Sequence, residues 1–273
     1  MRRPVARLAV NGALVVLAAL TLFPLAWMVS ASLMTAGEAL SLPPPLLPDQ
    51  PTLEHYRTLF ARLDLGRAFA NTLLLAGAIT AVSLLCNSMA GYAFAKLRFR
   101  GRDRLFAVLL ATLVVPPQVT VLPLFLEIRE LGLVNSFGGV MVAGIASVFG
   151  IFLVRQFALA IPDELLDAAR VDGASEWRIY WNVVLPLLRP VLVTLGVFTF
   201  LTAWNDFMWP LIVLTDESKY TLPVALANLS GEHVQDTELM MAGAVVTVAP
   251  VLVLFLALQR HYVAGLLLGG VKE

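Results

Sequence analysis

The sequence predicts an all-α integral membrane protein with six transmembrane helices and both termini in the cytoplasm. Of its 273 residues 59% are apolar, and the mean hydropathy is +0.83. A helix needs about 20 mostly apolar residues to cross the hydrocarbon, and six stretches meet that requirement. The predicted spans cover residues 8–32, 69–95, 105–126, 138–159, 187–214 and 239–258. We interpret residues 1–273 as one transmembrane domain.

The distribution of Lys and Arg between the spans predicts the orientation. With the N-terminus inside, fourteen of the 19 basic residues are cytoplasmic and the remaining five are outside. The fourteen are Arg2, Arg3, Arg7, Lys96, Arg98, Arg100, Arg102, Arg104, Arg155, Arg170, Arg178, Arg189, Arg260 and Lys272, and the five are Arg57, Arg62, Arg67, Arg129 and Lys219. Because cytoplasmic loops carry the excess of positive charge, both termini are predicted to be inside.

The first span follows a basic start, as a signal peptide would. Its apolar region is too long for a signal peptide, so we interpret it as a retained membrane anchor. Residues 35–66 are polar enough to lie outside, and several prolines make their first half extended. Leu53, Tyr56 and Phe60 then predict a short amphipathic helix on the membrane surface.

The next three spans differ in their internal signals. The second ends in a cluster of basic residues, and the third is interrupted by Pro116 and Pro117. Two prolines break or kink a helix and leave backbone carbonyls without a partner. Because lipid offers no hydrogen bonds, the break is predicted to face other helices or a wet pathway. The fourth span carries small residues that predict close helix packing. These are Gly139, Ala143, Ser147 and Gly150.

A polar segment, residues 161–190, separates the fourth and fifth spans. It contains eight charged residues, namely Asp163, Glu164, Asp167, Arg170, Asp172, Glu176, Arg178 and Arg189. A bilayer does not hold that much charge, so this segment is predicted to lie in water. Pro162 favours the start of a helix that runs to about Val171. Gly173 predicts a bend, and Ser175 can cap a second helix.

Both short helices of this segment have an apolar side. Leu165, Leu166 and Ala169 are predicted to lie on one side of the first helix. In the second, a spacing of i, i+3, i+4 and i+7 predicts one aromatic and apolar face made by Trp177, Tyr180, Trp181 and Val184. We interpret these faces as surfaces that meet another protein, and the alternative is an amphipathic linker that rests on lipid headgroups.

The polar segment resembles the cytoplasmic E-A-A loop of permease subunits of binding-protein-dependent ABC importers. The matching positions are Asp167, Ala168, Ala169, Asp172, Gly173, Ala174, Leu185 and Pro186. Asp167 stands where the family usually has Glu, which keeps the charge but shortens the reach. The stretches NTLLL, GYAFAKLRFRGRD, VPPQVTVLPLF and FTFLTAWNDFMWPLIVL also resemble the carbohydrate permeases of the maltose type.

The resemblance implies the type I ABC importer permease fold in a bacterial or archaeal cytoplasmic membrane. It implies a second permease subunit in a heterodimer, two ATPase subunits that use ATP and Mg²⁺, and an extracytoplasmic sugar-binding protein. Residues 161–186 would form the coupling loop that docks in a groove of the ATPase. The implied coupling residues are Leu165, Leu166, Asp167, Ala168, Ala169, Asp172, Gly173, Ala174 and Trp177.

Residues of a sugar pathway are predicted less directly. Asp206 and Asn205 lie beside Trp204 toward the outer end of the fifth span, and an intramembrane ionisable group is a functional candidate. Their alternative role is to bond neighbouring helices. Asn87 and Gln118 face the same choice, and helix bonding is the favoured one.

Several function classes are not supported. No phosphate-binding G-x-x-x-x-G-K-[ST] segment, metal-ligand cluster or nucleophile elbow occurs, so an enzyme, a cofactor and a metal are not predicted for this chain. A permease for another solute, such as a glycerol phosphodiester or an amino sugar, remains open. An ion-coupled secondary transporter would need carboxylates at mid-membrane as coupling sites. Asp206 is the single candidate, so this class is less well supported.

Overall fold

The computed structural model describes residues 2–62, 64–232 and 236–270, and every regular element in these ranges is helical. The helices are α1 Arg2–Ala31, α2 Glu54–Arg62, α3 Leu65–Lys96, α4 Arg102–Ala111, α5 Pro117–Glu130, α6 Phe137–Val142, α7 Val148–Leu159, α8 Asp163–Val171, α9 Glu176–Leu187, α10 Arg189–Trp204, α11 Met208–Val213, α12 Leu222–Glu232 and α13 Thr237–Gly270. Single helical turns of the 3₁₀ type cover Glu38–Leu40, Thr112–Val114 and Glu217–Lys219. The predicted all-α class is confirmed.

Three described helices are long and apolar enough to cross a membrane. They contain the segments Val10–Ala31, Leu65–Lys96 and Thr237–Ala257. Two further candidates are bent pairs, with 108° between Arg102–Val114 and Pro117–Glu130 and 78° between Glu176–Leu187 and Arg189–Trp204. The count of six spans and the orientation stay predictions. Lys272 of the orientation count lies outside the described residues, as do the side chains of Arg2, Arg3, Arg7 and Arg260.

The double proline breaks its helix as predicted. The helical chain ends at Val114, and α5 starts at Pro117. Proline suits the first turn of a helix because its missing N–H has no partner there in any case.

The fourth apolar stretch is not one continuous helix, which corrects the prediction for residues 138–159. Helix α6 ends at Val142 and α7 begins at Val148. Ser147 caps α7 by accepting a hydrogen bond from the Gly150 N–H at 2.8 Å, while Asn87 Oδ1 of α3 accepts from the Ser147 N–H at 3.0 Å. The break is therefore stabilised by a residue far away in the sequence.

The fifth stretch is also broken, which corrects the prediction for residues 187–214. Helix α10 ends at Trp204 and α11 begins at Met208. At the break Asp206 Oδ1 accepts a hydrogen bond from the Trp209 N–H at 3.4 Å. Short polar side chains compete in this way for backbone groups that would otherwise continue the helix.

The chain divides into two compact units, of which the first comprises Met1–Gly66 and Ala225–Val253. In this unit the segment after α1 folds back on α1, because Trp27 Nε1 donates to the Pro45 carbonyl at 3.2 Å and Ser30 Oγ to the Leu46 carbonyl at 2.6 Å. The buried Glu238 of α13 accepts from the Ala39 N–H at 2.8 Å. These bonds give the predicted outer segment a fixed shape.

The predicted amphipathic helix of this unit is present as α2, but its buried side differs from the prediction. Leu59 is fully buried, whereas Leu53 and Phe60 are more than half exposed. The Tyr56 hydroxyl lies 2.7 Å from Ser32 Oγ of the same unit. The helix therefore packs on its own unit through a leucine that the sequence pattern did not single out.

The second unit comprises Arg67–Val224 and Leu254–Glu273 and has two apolar clusters. One lies beneath the polar segment, where α3, α7, α8, α9 and α10 meet. The other joins α3, α5, α6 and α11 and contains Leu75, Ile128, Val140, Trp209, Val213 and Leu214. The first cluster positions the site described next.

Candidate functional site

Residues 161–186, here called the polar loop, form two short helices joined by a tight bend, as predicted. Helix α8 ends at Val171, and two residues later Gly173 is in the left-handed conformation, with φ of +78°. The Gly173 N–H donates to the Arg170 carbonyl and the Ala174 N–H to the Ala169 carbonyl, both at 3.0 Å. A left-handed residue after the helix, with two N–H groups that bond the last carbonyls of the helix, is a Schellman motif. Glycine is favoured at the left-handed position because it has no Cβ. Ser175 Oγ then caps α9.

The inner side of α8 corrects the predicted contact surface. Leu166 is only 1% exposed and packs with Ala169 into the cluster beneath the loop. The Leu166 side chain is therefore not free to enter the groove of a partner, whereas Ala169 is only partly buried. Leu165 and Val171 are 48% and 88% exposed and form the outward apolar side. Ala168 and Asp172, which are also exposed, complete this face.

Val171 was missed at the sequence level, although a signal for it exists. Leu165, Ala168 and Val171 recur at three-residue steps, which places them along one side of a helix. The prediction grouped Leu165 with Leu166 and Ala169, and Leu166 lies on the buried side of the helix. The exposure of this second row identifies it as the outward one.

Helix α9 does not present a single aromatic face, which corrects the second predicted surface. Tyr180–Val184 form a π-helical turn, in which each hydrogen bond spans one residue more than in an α-helix. Tyr180 and Val184 are buried, whereas Trp177 and Trp181 are 61% and 48% exposed. Both tryptophans contact the Tyr180 ring edge-on, with centroids 6.4 and 5.2 Å away. The tryptophans thus flank a buried tyrosine and point outward.

A hydrogen-bonded network centred on Arg170 joins the two helices of the loop. Arg170 Nη1 donates to Asp167 Oδ1 at 2.7 Å, and Nε donates to Glu176 Oε1 at 2.8 Å. The bond from Arg170 lowers the pKa of the Glu176 carboxyl, against the opposing effect of partial burial. Both ion pairs are partly exposed, so each contributes about 1 kcal/mol or less. Their main effect is to fix the angle between α8 and α9.

The loop is fastened to α3 through three polar residues spaced one helical turn apart, here called the polar stripe. Ser88 Oγ lies 2.7 Å from the Tyr180 hydroxyl, and the Tyr92 hydroxyl donates to Glu176 Oε2 at 2.8 Å. Lys96 Nζ donates to Asp163 Oδ1 and to the Ile161 carbonyl, both at 2.6 Å. Residues four apart lie on the same face of a helix. One face of α3 therefore holds the start of α8 and the first half of α9.

The Lys96 contact also sets the electrostatics at the start of α8. Its side chain is 7% exposed, and its ammonium lies against the Asp163 carboxylate. The hydrogen bond and positive charge of Lys96 hold the pKa of the Asp163 carboxyl below its ordinary value. Asp163 remains ionised at neutral pH and complements the positive end of the α8 dipole.

A cavity of about 270 Å³ opens beside the exposed Trp177. It is lined by residues of α3 and α9, namely Met89, Tyr92, Ala93, Leu97, Glu176, Trp177 and Tyr180. Its walls are apolar apart from the Glu176 carboxylate and the tyrosine hydroxyls. The loop therefore offers exposed apolar side chains, exposed carboxylates and a recess.

The predicted pathway residues do not converge on one site. Asn87 is fully buried and donates to Ser83 Oγ at 2.9 Å in addition to its bond with α7. Trp204 is also fully buried, stacked on Phe200 of its own helix at 5.7 Å between centroids and in edge contact with Phe69 of α3 at 5.5 Å. Both residues contact other helices of their own chain, which agrees with the favoured helix-bonding role of Asn87 and with the alternative role given for the residues around Trp204.

The other three predicted pathway residues are accessible to different degrees. Gln118 and Asn205 are exposed, and Asn205 Nδ2 donates to the Leu201 carbonyl at 2.8 Å. Asp206 is half-buried at the break between α10 and α11. In the part of the chain that the structure describes, no three His, Cys, Asp or Glu side chains group as metal ligands would.

Comparison with known proteins connects this architecture to one family. Residues 87–267 match the family model described as binding-protein-dependent transport system inner membrane component. This range includes the last ten residues of α3, the whole polar loop, and the helices that follow it as far as residue 267.

The similarity to individual proteins extends over nearly the whole chain. The arabinooligosaccharides transport system permease protein of Halalkalibacterium halodurans is 37% identical, covering 94% of this chain and 93% of that protein. The lactose transport system permease protein of Rhizobium radiobacter is 34% identical, covering 93% and 92%. A chain in the crystal structure of a bacterial ABC transporter involved in the import of the acidic polysaccharide alginate is 26% identical. That chain superposes with a TM-score of 0.82 over 95% of this chain and 98% of its own length.

Proposed function

Because the chain belongs to the family of binding-protein-dependent transport system inner membrane components, we propose that it is a permease subunit of an ATP-driven sugar importer. The observation that carries this proposal is the similarity, over more than nine-tenths of the chain, to permeases named for arabinooligosaccharides and lactose. The family consists of transport components, so the chain is a non-catalytic, multi-pass membrane subunit. Its membrane is the cytoplasmic, or inner, membrane of a prokaryote.

The polar loop is the contact with the ATPase in this proposal. Two separate ATPase subunits bind ATP and Mg²⁺, and this chain binds no cofactor itself. The exposed Leu165, Val171 and Trp177 support the contact because they are apolar and are 48%, 88% and 61% exposed. Asp167 stays partly exposed beside Arg170, so its carboxylate remains available to a basic partner.

The polar stripe of α3 transmits the movement of the loop. When ATP closes the ATPase dimer, the loop moves with it, and the bonds from Ser88, Tyr92 and Lys96 oblige α3 to follow. The buried Leu166 and the partly buried Ala169 prevent α8 from sliding over the cluster beneath it. Alternating access of the sugar pathway follows from this coupled displacement.

A second permease subunit completes the pathway as a heterodimer. Gln118 at the double-proline break and Asn205 at the end of α10 are exposed polar groups within predicted spans, which suits a contact with sugar or with the second permease. The family description implies a binding protein, which would deliver the sugar from outside.

The test is the ATPase activity of the assembled importer. The chain is co-expressed with candidate ATPase and second-permease subunits, purified, and reconstituted in lipid. We expect the sugar-loaded binding protein to stimulate ATP hydrolysis, whereas the same binding protein without sugar serves as the control. A panel of sugars, amino sugars and glycerol phosphodiesters as loads identifies the solute class.

Two results would contradict the proposal. If no ATPase subunit co-purifies with the intact chain, and solute uptake into vesicles follows an ion gradient, the chain is a secondary transporter. If only a non-carbohydrate load stimulates hydrolysis, the importer stands and the sugar assignment falls.

A further inference from the structure

The connection between α3 and α4 and the first turn of α4 together contain four arginines at alternate positions. Residues 98–104, here called the arginine loop, include Arg98, Arg100, Arg102 and Arg104. Arg102 is used internally, because Nε donates to Asp103 Oδ1 at 3.1 Å and Nη1 to the Leu97 carbonyl at 3.4 Å. The other three are exposed, and the ion pairs found among the described residues do not include them. Three guanidinium groups are therefore directed to the surroundings.

An aromatic platform holds this loop in shape. The Phe94 ring contacts the rings of Phe99 and Phe106, with centroids 5.8 and 5.4 Å apart. Arg155 of α7 lies over Phe106 at 4.1 Å from its centroid and donates through Nε to the Phe94 carbonyl at 3.2 Å. Residues 98–104 curve around a concave space of about 990 Å³. The arginines are thus presented by a packed turn with a definite concave side.

The position of the loop in the chain places it at the surface of a bilayer. It connects a helix long and apolar enough to span with the first half of a bent candidate span. Immediately after it, Leu105 and Val108 of α4 are 55% and 65% exposed, as expected of side chains that face acyl chains. Phe99, between two exposed arginines, is itself 41% exposed. This interleaving of cations with an exposed aromatic ring suits the boundary between headgroups and hydrocarbon.

We propose that the arginine loop is a binding site for the headgroups of anionic phospholipids, with phosphatidylglycerol as the representative ligand. Guanidinium groups bind phosphate oxygens through paired, charge-assisted hydrogen bonds, and three of them surround the concave space. From Lys96 to Arg104 the chain carries five positive charges and one negative charge, a net of +4. The exposed Phe99 ring contacts the glycerol and upper acyl region. The site is independent of the sugar pathway and of the polar loop's contact surface.

The experiment titrates the purified full chain in neutral detergent with phosphatidylglycerol or phosphatidylcholine and counts bound lipids by native mass spectrometry. We expect tighter binding of phosphatidylglycerol. The Arg98→Gln/Arg100→Gln variant should weaken it by about 25-fold, roughly fivefold for each arginine, and leave phosphatidylcholine binding unchanged. Arg98→Lys/Arg100→Lys should retain most of the affinity because it keeps the charge.

A matched control removes the same charge elsewhere. Arg57→Gln/Arg129→Gln neutralises two exposed arginines, of α2 and α5, and should leave phosphatidylglycerol binding within twofold of the parent. Equal losses in the two glutamine variants, or no loss in either, would overturn the site, because the attraction would then come from general charge or from elsewhere. Gel filtration and thermal unfolding establish that each variant is folded before it is titrated.

Two further arms distinguish other ligands. Inorganic phosphate that displaces phosphatidylglycerol completely at constant ionic strength would show a site for a free anion and overturn the lipid assignment. The arginine variant is also co-expressed with the ATPase subunits. Loss of those subunits with phosphatidylglycerol affinity intact would identify the loop as a protein contact and overturn the proposal as well.

Discussion

The outer segment, residues 33–62, and the polar loop, residues 161–186, are both polar connections with a fixed shape, but they are stabilised in opposite ways. The outer segment is held by side chains that bond backbone groups, including the buried His55, whose Nε2 lies 2.9 Å from the Met34 carbonyl. The polar loop is held by side-chain pairs and places apolar groups in the open. The first arrangement fixes the course of the backbone, whereas the second fixes a short helix, α8, with one buried leucine, Leu166, and one exposed leucine, Leu165.

Replacing the two adjacent leucines of α8 tests this difference with the largest expected effect. Leu166→Ala removes a buried side chain and should lower the free energy of unfolding by about 3 kcal/mol. Leu165→Ala removes an exposed one and should change it by less than about 0.5 kcal/mol, yet weaken ATPase association. Thermal unfolding and co-purification measure the two effects. Equal destabilisation by both variants would contradict the assignment of inner and outer sides.

Removing the buried carboxylate of α13 that bonds the outer segment should have the next largest effect. Glu238→Ala leaves the buried Ala39 N–H without an acceptor and should lower the free energy of unfolding by about 2 kcal/mol. Glu54→Ala, at an exposed position, is the control. We expect the ratio of sugar transported to ATP hydrolysed to stay normal in both variants. A change in that ratio for Glu238→Ala would give the outer segment a role in coupling.

A change at the bend of the polar loop should act mainly on coupling. Gly173 has φ of +78° and open space around it, so a side chain there costs about 1 kcal/mol in backbone strain without a clash. Gly173→Arg should insert in the membrane normally but hydrolyse ATP without importing sugar. Gly173→Ala carries the same strain with little bulk and serves as the control. Normal sugar import by Gly173→Arg would rule out the proposed coupling role.

Removing one hydroxyl that bonds the polar loop, and one that bonds within the first unit, should have the smallest effect. Tyr92→Phe deletes the bond from α3 to Glu176, and Tyr56→Phe deletes the contact with Ser32. Each should lower the free energy of unfolding by about 1 kcal/mol. Only Tyr92→Phe should also reduce the amount of sugar imported per ATP. If both variants leave that amount unchanged, the polar stripe has a structural role alone.

What the sequence predicted correctly depends on neighbouring residues. The helix–bend–helix shape of the polar loop is encoded by Pro162, Gly173 and Ser175, each of which acts on the backbone within a few residues. The break at Pro116 and Pro117 has the same local origin. Patterns of this kind can be read directly because no distant partner is needed.

The features that were missed depend on distant partners or on local helix geometry. The break before α7 is stabilised by Asn87, 60 positions away in the chain. The polar stripe was not predicted, because Ser88 and Tyr92 lie in an apolar stretch. Polar residues in such a stretch indicate bonds between helices without identifying the partner. The two faces of α9 could not be assigned from a period of 3.6 residues, because Tyr180–Val184 do not follow that period.

The π-helical turn of α9 has a consequence for how this family can vary by insertion and deletion. Such a turn holds one residue more than the α-helical turn it replaces. Deleting one residue from Tyr180–Val184 would restore a regular helix and rotate everything before it by about 100° relative to α10. Trp177 and the helix before it would then point in a new direction, although the identity of every remaining residue of the loop would be unchanged. A single-residue gap at this position in a relative would therefore mark a permease in which Trp177 and α8 are oriented differently relative to α10.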